Sequence, residues 1–173
     1  MLKFLSFGSG SSGNCYLLYT DTDCLMIDCG VGIRSLKKHF HNYGLQLNMV
    51  HNVLITHDHA DHVKSVGSIS GDLQLPVYTT EDVHRGISQN WCVRRKVDQQ
   101  YVKFVQKGEE ITIGEFKVTP FGVPHDSTDC VGYSVEYEVF YYQKDKRLTL
   151  KKISYKKGTI NGVYITKDTN DNL

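Results

Sequence analysis

No stretch of this sequence approaches the roughly 18 consecutive apolar residues that a membrane-spanning helix requires. The opening segment, Met1-Leu2-Lys3-Phe4-Leu5-Ser6-Phe7-Gly8, has too short an apolar run for a secretory signal, so no membrane and a cytoplasmic location are the expectation. Nor is there a surplus of either charge. Twenty Lys and Arg against 19 Asp and Glu leave a formal net charge of +1, which offers no bulk attraction to nucleic acid, membrane or acidic partners. Paired CxxC spacing is missing as well. Five cysteines (Cys15, Cys24, Cys29, Cys92, Cys130) are an odd set without close pairs, which argues against a zinc ribbon and a disulfide scaffold. Cys24 and Cys29 flank a predicted strand and read as small buried thiols. The run Gly8-Ser9-Gly10-Ser11-Ser12-Gly13-Asn14 resembles a phosphate cradle, but no Lys-Ser/Thr follows it and no helix opens there, so it is not a P-loop. It reads instead as a turn built from residues that tolerate positive φ. Repeats and linkers are also lacking. The 173 residues are enough for one domain with a substantial core and short for two, and a single domain over 1–173 is expected.

What is present is an alternation of apolar strands and short helices. Lys3–Phe7, Cys15–Tyr19 and Cys24–Asp28 read as strands, the third apolar enough to be central. Ile33, Leu36 and Phe40 fall at helical spacing, predicting a helix from 33 to 43 with Gly44 as its stop. Asn52–Thr56 is a further apolar strand. Val63–Ile69 fits a short helix, Pro76–Thr79 a strand, and Glu81–Gln89 a helix capped by Thr80. From residue 102 onward the pattern is β: a hairpin over Ile111–Thr119, then Val131–Val139, Arg147–Tyr155 and Gly162–Thr166. The mixture indicates α/β or α+β layering around one core.

The chemistry lies in Leu54-Ile55-Thr56-His57-Asp58-His59-Ala60-Asp61-His62, which packs three of the chain's eight histidines and two carboxylates into six residues. Burying so many polar groups without partners is costly. On a regular strand, residues 57, 59 and 61 share a face and His62 does not; on a helix, 57 and 61 align and 59 points away. The four converge only where a strand ends and the chain turns, the usual position of ligand sites in α/β sheets. Nitrogen and oxygen donors of this kind suit zinc, with manganese or iron as alternatives. They are numerous enough to begin two adjacent sites, one at His57 and His59 and the other at Asp61 and His62. A thiolate-free site more often keeps an open position for water.

An HxHxDH motif after an apolar strand resembles the signature of metallo-β-lactamase-fold hydrolases. The likeness extends to Ser9-Gly10-Ser11-Ser12-Gly13-Asn14-Cys15, to Met26-Ile27-Asp28-Cys29-Gly30, and to His125-Asp126 followed by Val131-Gly132-Tyr133. These pieces are similar to the exonuclease-like YycJ/WalJ branch, over about residues 3 to 136. The resemblance implies an αββα sandwich, of which this chain carries the first half. It also implies two divalent metals, the first held by His57, His59 and His125, the second by Asp61, His62 and a bridging Asp168. Asp61 is the candidate to orient the attacking water, and Asp28 looks like a carboxylate that orients a ligand histidine.

Two features depart from that pattern. Val139–Gly158 forms an enlarged hairpin carrying Lys144, Lys146, Arg147, Lys151, Lys152, Lys156 and Lys157, interleaved with Tyr141, Tyr142 and Tyr155. Cations with rings suit contact with DNA or RNA, although lysines also blunt an edge strand. The chain then stops at Leu173, with no histidine after His125. The second half, with its last histidine ligand, is therefore incomplete, and the side it leaves exposed favours self-association. The expected activity is metal-assisted hydrolysis of a phosphodiester, a nuclease above all. Lactones, esters and small cyclic phosphates suit the same chemistry, and a catalytically weak metal- or nucleic-acid-binding module is the alternative of another class.

Overall fold

A computed structural model describes residues 2–141, 149–157 and 163–166, with side chains described through Tyr137. Three strands open the chain: β1 (Lys3–Gly8), β2 (Cys15–Tyr19) and β3 (Cys24–Ile27). They pair as an antiparallel meander, Leu5 opposite Leu17 and Leu17 opposite Met26. Three parallel strands extend this sheet: β4 (Asn52–Leu54), β5 (Val77–Thr79) and β6 (Val102–Phe104), in the order β1-β2-β3-β4-β5-β6. A crossover between parallel neighbours is right-handed, so successive crossovers advancing in one direction place their helices on one face. Those helices are α1 (Ile33–Asn42), α2 (Ala60–Val63) with α3 (Val66–Leu73), and α4 (Glu81–Gln89). α1 buries Leu36 and Phe40, the latter edge-on to Phe7 of β1 at 4.9 Å, and Gly44 with φ 67° ends its run. α4 is capped by Thr80, whose hydroxyl accepts from Val83 N. It is tied to the sheet by His84, whose Nε2 lies 3.1 Å from Val77 O and 3.2 Å from Lys103 O.

The second sheet holds β7 (Ile111–Ile113), β8 (Phe116–Gly122), β9 (Val131–Tyr141), β10 (Thr149–Lys157) and β11 (Val163–Thr166), ordered β11-β10-β9-β8-β7. All its described pairings are antiparallel, and β9 and β10 are the arms of the enlarged hairpin. Its inner residues Ile113, Phe116, Val118, Val131, Tyr133 and Val135 join one core with Leu17, Leu25, Met26, Val53 and Ile55 of the first sheet. Full burial of each such side chain stabilises by about 1.5–3 kcal/mol, which makes this apolar interface the main force joining the layers. Polar links register it: Tyr133 Oη donates to Ile55 O (2.7 Å) and Glu115 N donates to Asp23 Oδ2 (2.8 Å).

Two expectations are corrected. The helix over Val63–Ile69 is two helices, broken at Lys64 and Ser65. Ser65 turns aside to bond the loop after β3, its N donating to Cys29 O (3.0 Å) and its Oγ to Val31 O (2.8 Å). The strand over Cys24–Asp28 ends at Ile27, because Asp28 sits at φ 60°, outside the extended range. None of the five cysteines is joined in a disulfide, and Cys15, Cys24 and Cys29 are fully buried. Burial pushes the Cys24 thiol up to about 12 and raises Cys15 and Cys29 well above the ordinary thiol value, so these thiols are inert.

Candidate metal centre

The centre forms where the C-terminal end of β4 meets the second sheet. Beyond Leu54 the chain continues as buried Ile55, Thr56 and His57, and β9 approaches it closely. Val131 N donates to Thr56 O (2.8 Å), and His57 forms a bridge with Cys130. His59 caps α2, which carries Asp61 and His62 on its single turn. His125 arrives from the opposite side, in the loop between β8 and β9. Val123 N donates to Cys130 O (3.1 Å) and closes that loop.

Within this frame the donor atoms of His57, His59 and His125 lie within 4.8 Å of one another. The rings of His57 and His62 are 4.0 Å apart, so all four imidazoles form one cluster. They open onto a cavity of about 230 Å³, lined also by Gly10, Ser11, Asn14 and Asp61. The Gly8–Asn14 run, a turn as expected, thus forms a wall of the site.

Asp28 organises the floor of this cavity. Wholly buried, it accepts from Thr56 N (2.9 Å), from Thr56 Oγ1 (3.0 Å) and from His62 Nδ1 (2.7 Å). An ionised carboxylate only accepts, so the single Thr56 hydroxyl proton points at Asp28. The Thr56 oxygen is then left to accept from His57 Nδ1, 3.0 Å away. Both histidines thereby carry their proton on Nδ1 and turn an Nε2 lone pair toward the cavity. His57 Nε2 is buried and has no hydrogen-bond partner among the described residues. A buried, unpartnered lone pair beside two further imidazoles fits a divalent metal, and an all-nitrogen triad suits zinc.

Burial above all, then the neighbouring His62, lowers the His57 pKa from 6.5 to about 3, against the raising effect of Asp28. His57 is therefore neutral at neutral pH, the form a metal needs. In the unfolded chain the ring titrates near 6.5, so between 6.5 and 3 the unfolded state binds the extra proton. Metal-free protein keeps this contribution to stability above pH 6.5 and loses it as pH falls toward 3. One proton caps the slope at about 1.4 kcal/mol per pH unit. Urea unfolding of chelator-treated protein at stepped pH measures it, and His57→Gln should lack that component.

The residues expected at a second metal position are only partly within view. Asp61 Oδ2 and His62 Nε2 lie 3.6 Å apart. The side-chain amide of Asn14 reaches both, at 3.1 Å from Asp61 Oδ2 and 3.0 Å from His62 Nε2. Asp168 lies outside the described residues, as do the hairpin's side chains from residue 138 onward. Asn14 and Thr56 were not singled out from the sequence. Thr56 left one signal, a polar residue ending an apolar strand; Asn14 left none that spacing could reveal.

The loop carrying His125 is fastened at two points. Thr128 Oγ1 donates to Asp58 Oδ2 (2.7 Å), while Asp129 accepts from Thr80 Oγ1 (2.8 Å), Lys107 Nζ (2.5 Å) and Cys130 N (2.9 Å). Burial acts to raise the Asp129 pKa, but the bonds from Lys107 and Thr80 outweigh it and hold the carboxyl below its ordinary value. Asp58, between two cluster histidines, thus fixes the loop that brings the third.

Solved metallo-β-lactamases share this fold. A subclass B3 enzyme with an active-site glutamic acid superposes with a TM-score of 0.65 at 15% identity, over 87% of this chain and 58% of that one. The B3 enzyme BJP-1 of Bradyrhizobium japonicum gives 0.64 at 16%, over 90% and 60%. At such identities the likeness shows the fold alone: this is a metallo-β-lactamase-type α/β layered structure, a fold that typically binds divalent metals. The family profile described as the beta-lactamase superfamily domain matches residues 24–153, and the chain belongs to that superfamily. Among curated relatives it is 30% identical over 149 residues to the exodeoxyribonuclease YycJ of Bacillus anthracis, covering 86% of this chain and 53% of that protein. It is 28% identical over 125 residues to the exodeoxyribonuclease WalJ of Streptococcus pneumoniae, covering 72% and 46%. The chain spans about half the length of these relatives. No helix among the described residues is long and apolar enough to cross a membrane.

Proposed function

We propose that this chain is the metal-binding part of a phosphodiester hydrolase acting on DNA. The observation that carries this reading is the convergence of His57, His59 and His125, with the buried Nε2 of His57 unpartnered. The likeness to two exodeoxyribonucleases supports DNA as the substrate class. In this reading His57, His59 and His125 hold one divalent ion, zinc by donor type, and Asp61, His62 and Asp168 hold a second. Such ions, when bound, would supply Lewis acidity for attack on the phosphodiester. The protein's own contributions are positional. Asp28 and Thr56 fix the tautomers of His57 and His62, so both offer unprotonated Nε2 atoms. Asp61 accepts a hydrogen bond from the attacking water and orients it toward phosphorus. The Gly10-Ser11 turn shapes the wall against which the phosphate rests.

Elemental analysis of wild type beside His59→Ala, with cleavage of end-labelled DNA, tests this. Expected are about two metal equivalents that fall in the variant, and cleavage that chelation abolishes and zinc or manganese restores. His59→Ala should cut at least about a hundredfold more slowly. Rates falling steeply with salt would identify a polyanionic substrate, since small esters release few counterions. Bound metal without cleavage of any phosphodiester would overturn the enzymatic reading.

A further inference from the structure

Next to the histidine cluster lies a second, more open cavity of about 600 Å³, whose lining includes Asp58, His59, Asn90, Trp91, Asp126 and Thr128. His59 lines both cavities, so a substrate seated over the cluster has this space within reach. Trp91 is the chain's single tryptophan, and its side chain is 88% exposed. An indole left so far in water is unusual unless it meets a ligand or partner.

Its mount is firm. Trp91 sits in a tight turn, with Val93 N donating to Asn90 O (3.1 Å) and Cys92 N to Asn90 Oδ1 (2.9 Å). Asn90 Nδ2 donates to Asp58 O (2.6 Å), and Lys96 Nζ donates to Asn90 O (2.6 Å). Val93 is buried beneath the turn. The residue preceding Trp91 is thus tied to Asp58, which lies between His57 and His59. α4 can approach Asp58 because residue 86 is glycine; a Cβ there would stand 1.9 Å from Asp58 Oδ2.

The cavity's chemistry suits a base rather than a phosphate. Among the described residues no Lys or Arg lines it, while amides of Gln89 and Asn90 and hydroxyls of Ser127 and Thr128 do, with Asp58 engaged by Thr128. We propose that Trp91 is a stacking platform for the unpaired nucleobase adjoining the phosphate held at the histidine cluster, so that the site takes a single-stranded DNA end. The assignment rests on the nuclease reading above. Aromatic stacking tolerates any base, as an enzyme working along a strand requires.

Because Trp91 is the sole tryptophan, emission of the metal-loaded protein reports on this ring alone. Titration with a short phosphorothioate oligothymidylate should quench it saturably. Binding, followed by anisotropy of a labelled strand, should weaken about tenfold in Trp91→Ala and less than about threefold in Trp91→Phe. All three proteins should melt together, since the side chain is exposed. Undisturbed emission and unweakened binding by Trp91→Ala, with DNA still cut, would overturn the platform and leave the nuclease reading intact. Neither binding nor cutting in wild type would overturn both. A blue shift growing with protein concentration without oligonucleotide would show that a second copy covers the indole, and would also overturn the platform.

Discussion

Asp28→Ala is expected to destabilise the protein by about 3–5 kcal/mol and to weaken metal binding about 10- to 100-fold. The substitution strips the acceptor from Thr56 N, Thr56 Oγ1 and His62 Nδ1 in a wholly buried place. It also puts alanine at φ 60°, a conformation that aspartate tolerates better. With the carboxylate gone, the Thr56 proton is free to turn toward His57 Nδ1, and the ring's own proton can move to Nε2. The lone pair that faced the cavity is then occupied. Asp28→Asn separates the two effects: the amide keeps much of the shape and a carbonyl acceptor but loses the charge. Stability should recover more than metal affinity does. Thermal melts and competition with a chromophoric chelator measure the two; equal recovery of both would count against tautomer control.

Gly30→Ala should be at least as damaging. A Cβ at residue 30 would lie 1.6 Å from Asp61 O and 2.1 Å from the Asp61 carbonyl carbon, both backbone atoms that no rotamer change can move. Cys29 N donates to His62 O (2.7 Å) across the same contact, and Gly30 N donates to Asn14 O (2.9 Å), while Asn14 N donates to Asp61 O (2.7 Å). Relief therefore requires α2 to shift bodily, carrying Asp61 and His62 with it. Overpacking in a fitted interior costs about 1–3 kcal/mol where neighbours can yield; here they are backbone, so a loss above about 3 kcal/mol is expected, with bound metal falling in parallel. Chemical denaturation and metal analysis would show it, and a fully stable Gly30→Ala would mean that the loop after β3 is looser than its hydrogen bonds imply.

The parts of this architecture that were legible in the sequence were those encoded locally. Leu36 and Phe40 announced α1 by spacing, the apolar runs at β2, β3 and β4 announced strands, with β3 a central one, and the His57–His62 segment announced a ligand-bearing turn. Thr80 advertised the cap of α4. Illegible were the interactions between residues distant in the chain. Ser65 breaks the helix after the cluster because it bonds Val31 and Cys29 across the fold, and nothing in its neighbours signals that. Asn14 reaches Asp61 and His62 only because β2 and α2 are brought side by side. His125, an isolated histidine after a Phe-Gly-Val-Pro turn, entered the candidate set by resemblance; its convergence with His57 and His59 depends on how the two sheets meet.

That dependence shapes how the site can come into being. The cluster on the turn after β4 is a local product, but His125 comes from the far side of an intervening βαβ unit and the first hairpin of the other sheet. Closing so long a loop costs entropy that must be met before the contact gives anything back. A nascent chain that has extruded only its first sheet holds an incomplete set of ligands. The full triad exists only once both layers have docked, so ion capture by the triad records completed folding rather than guiding its beginning.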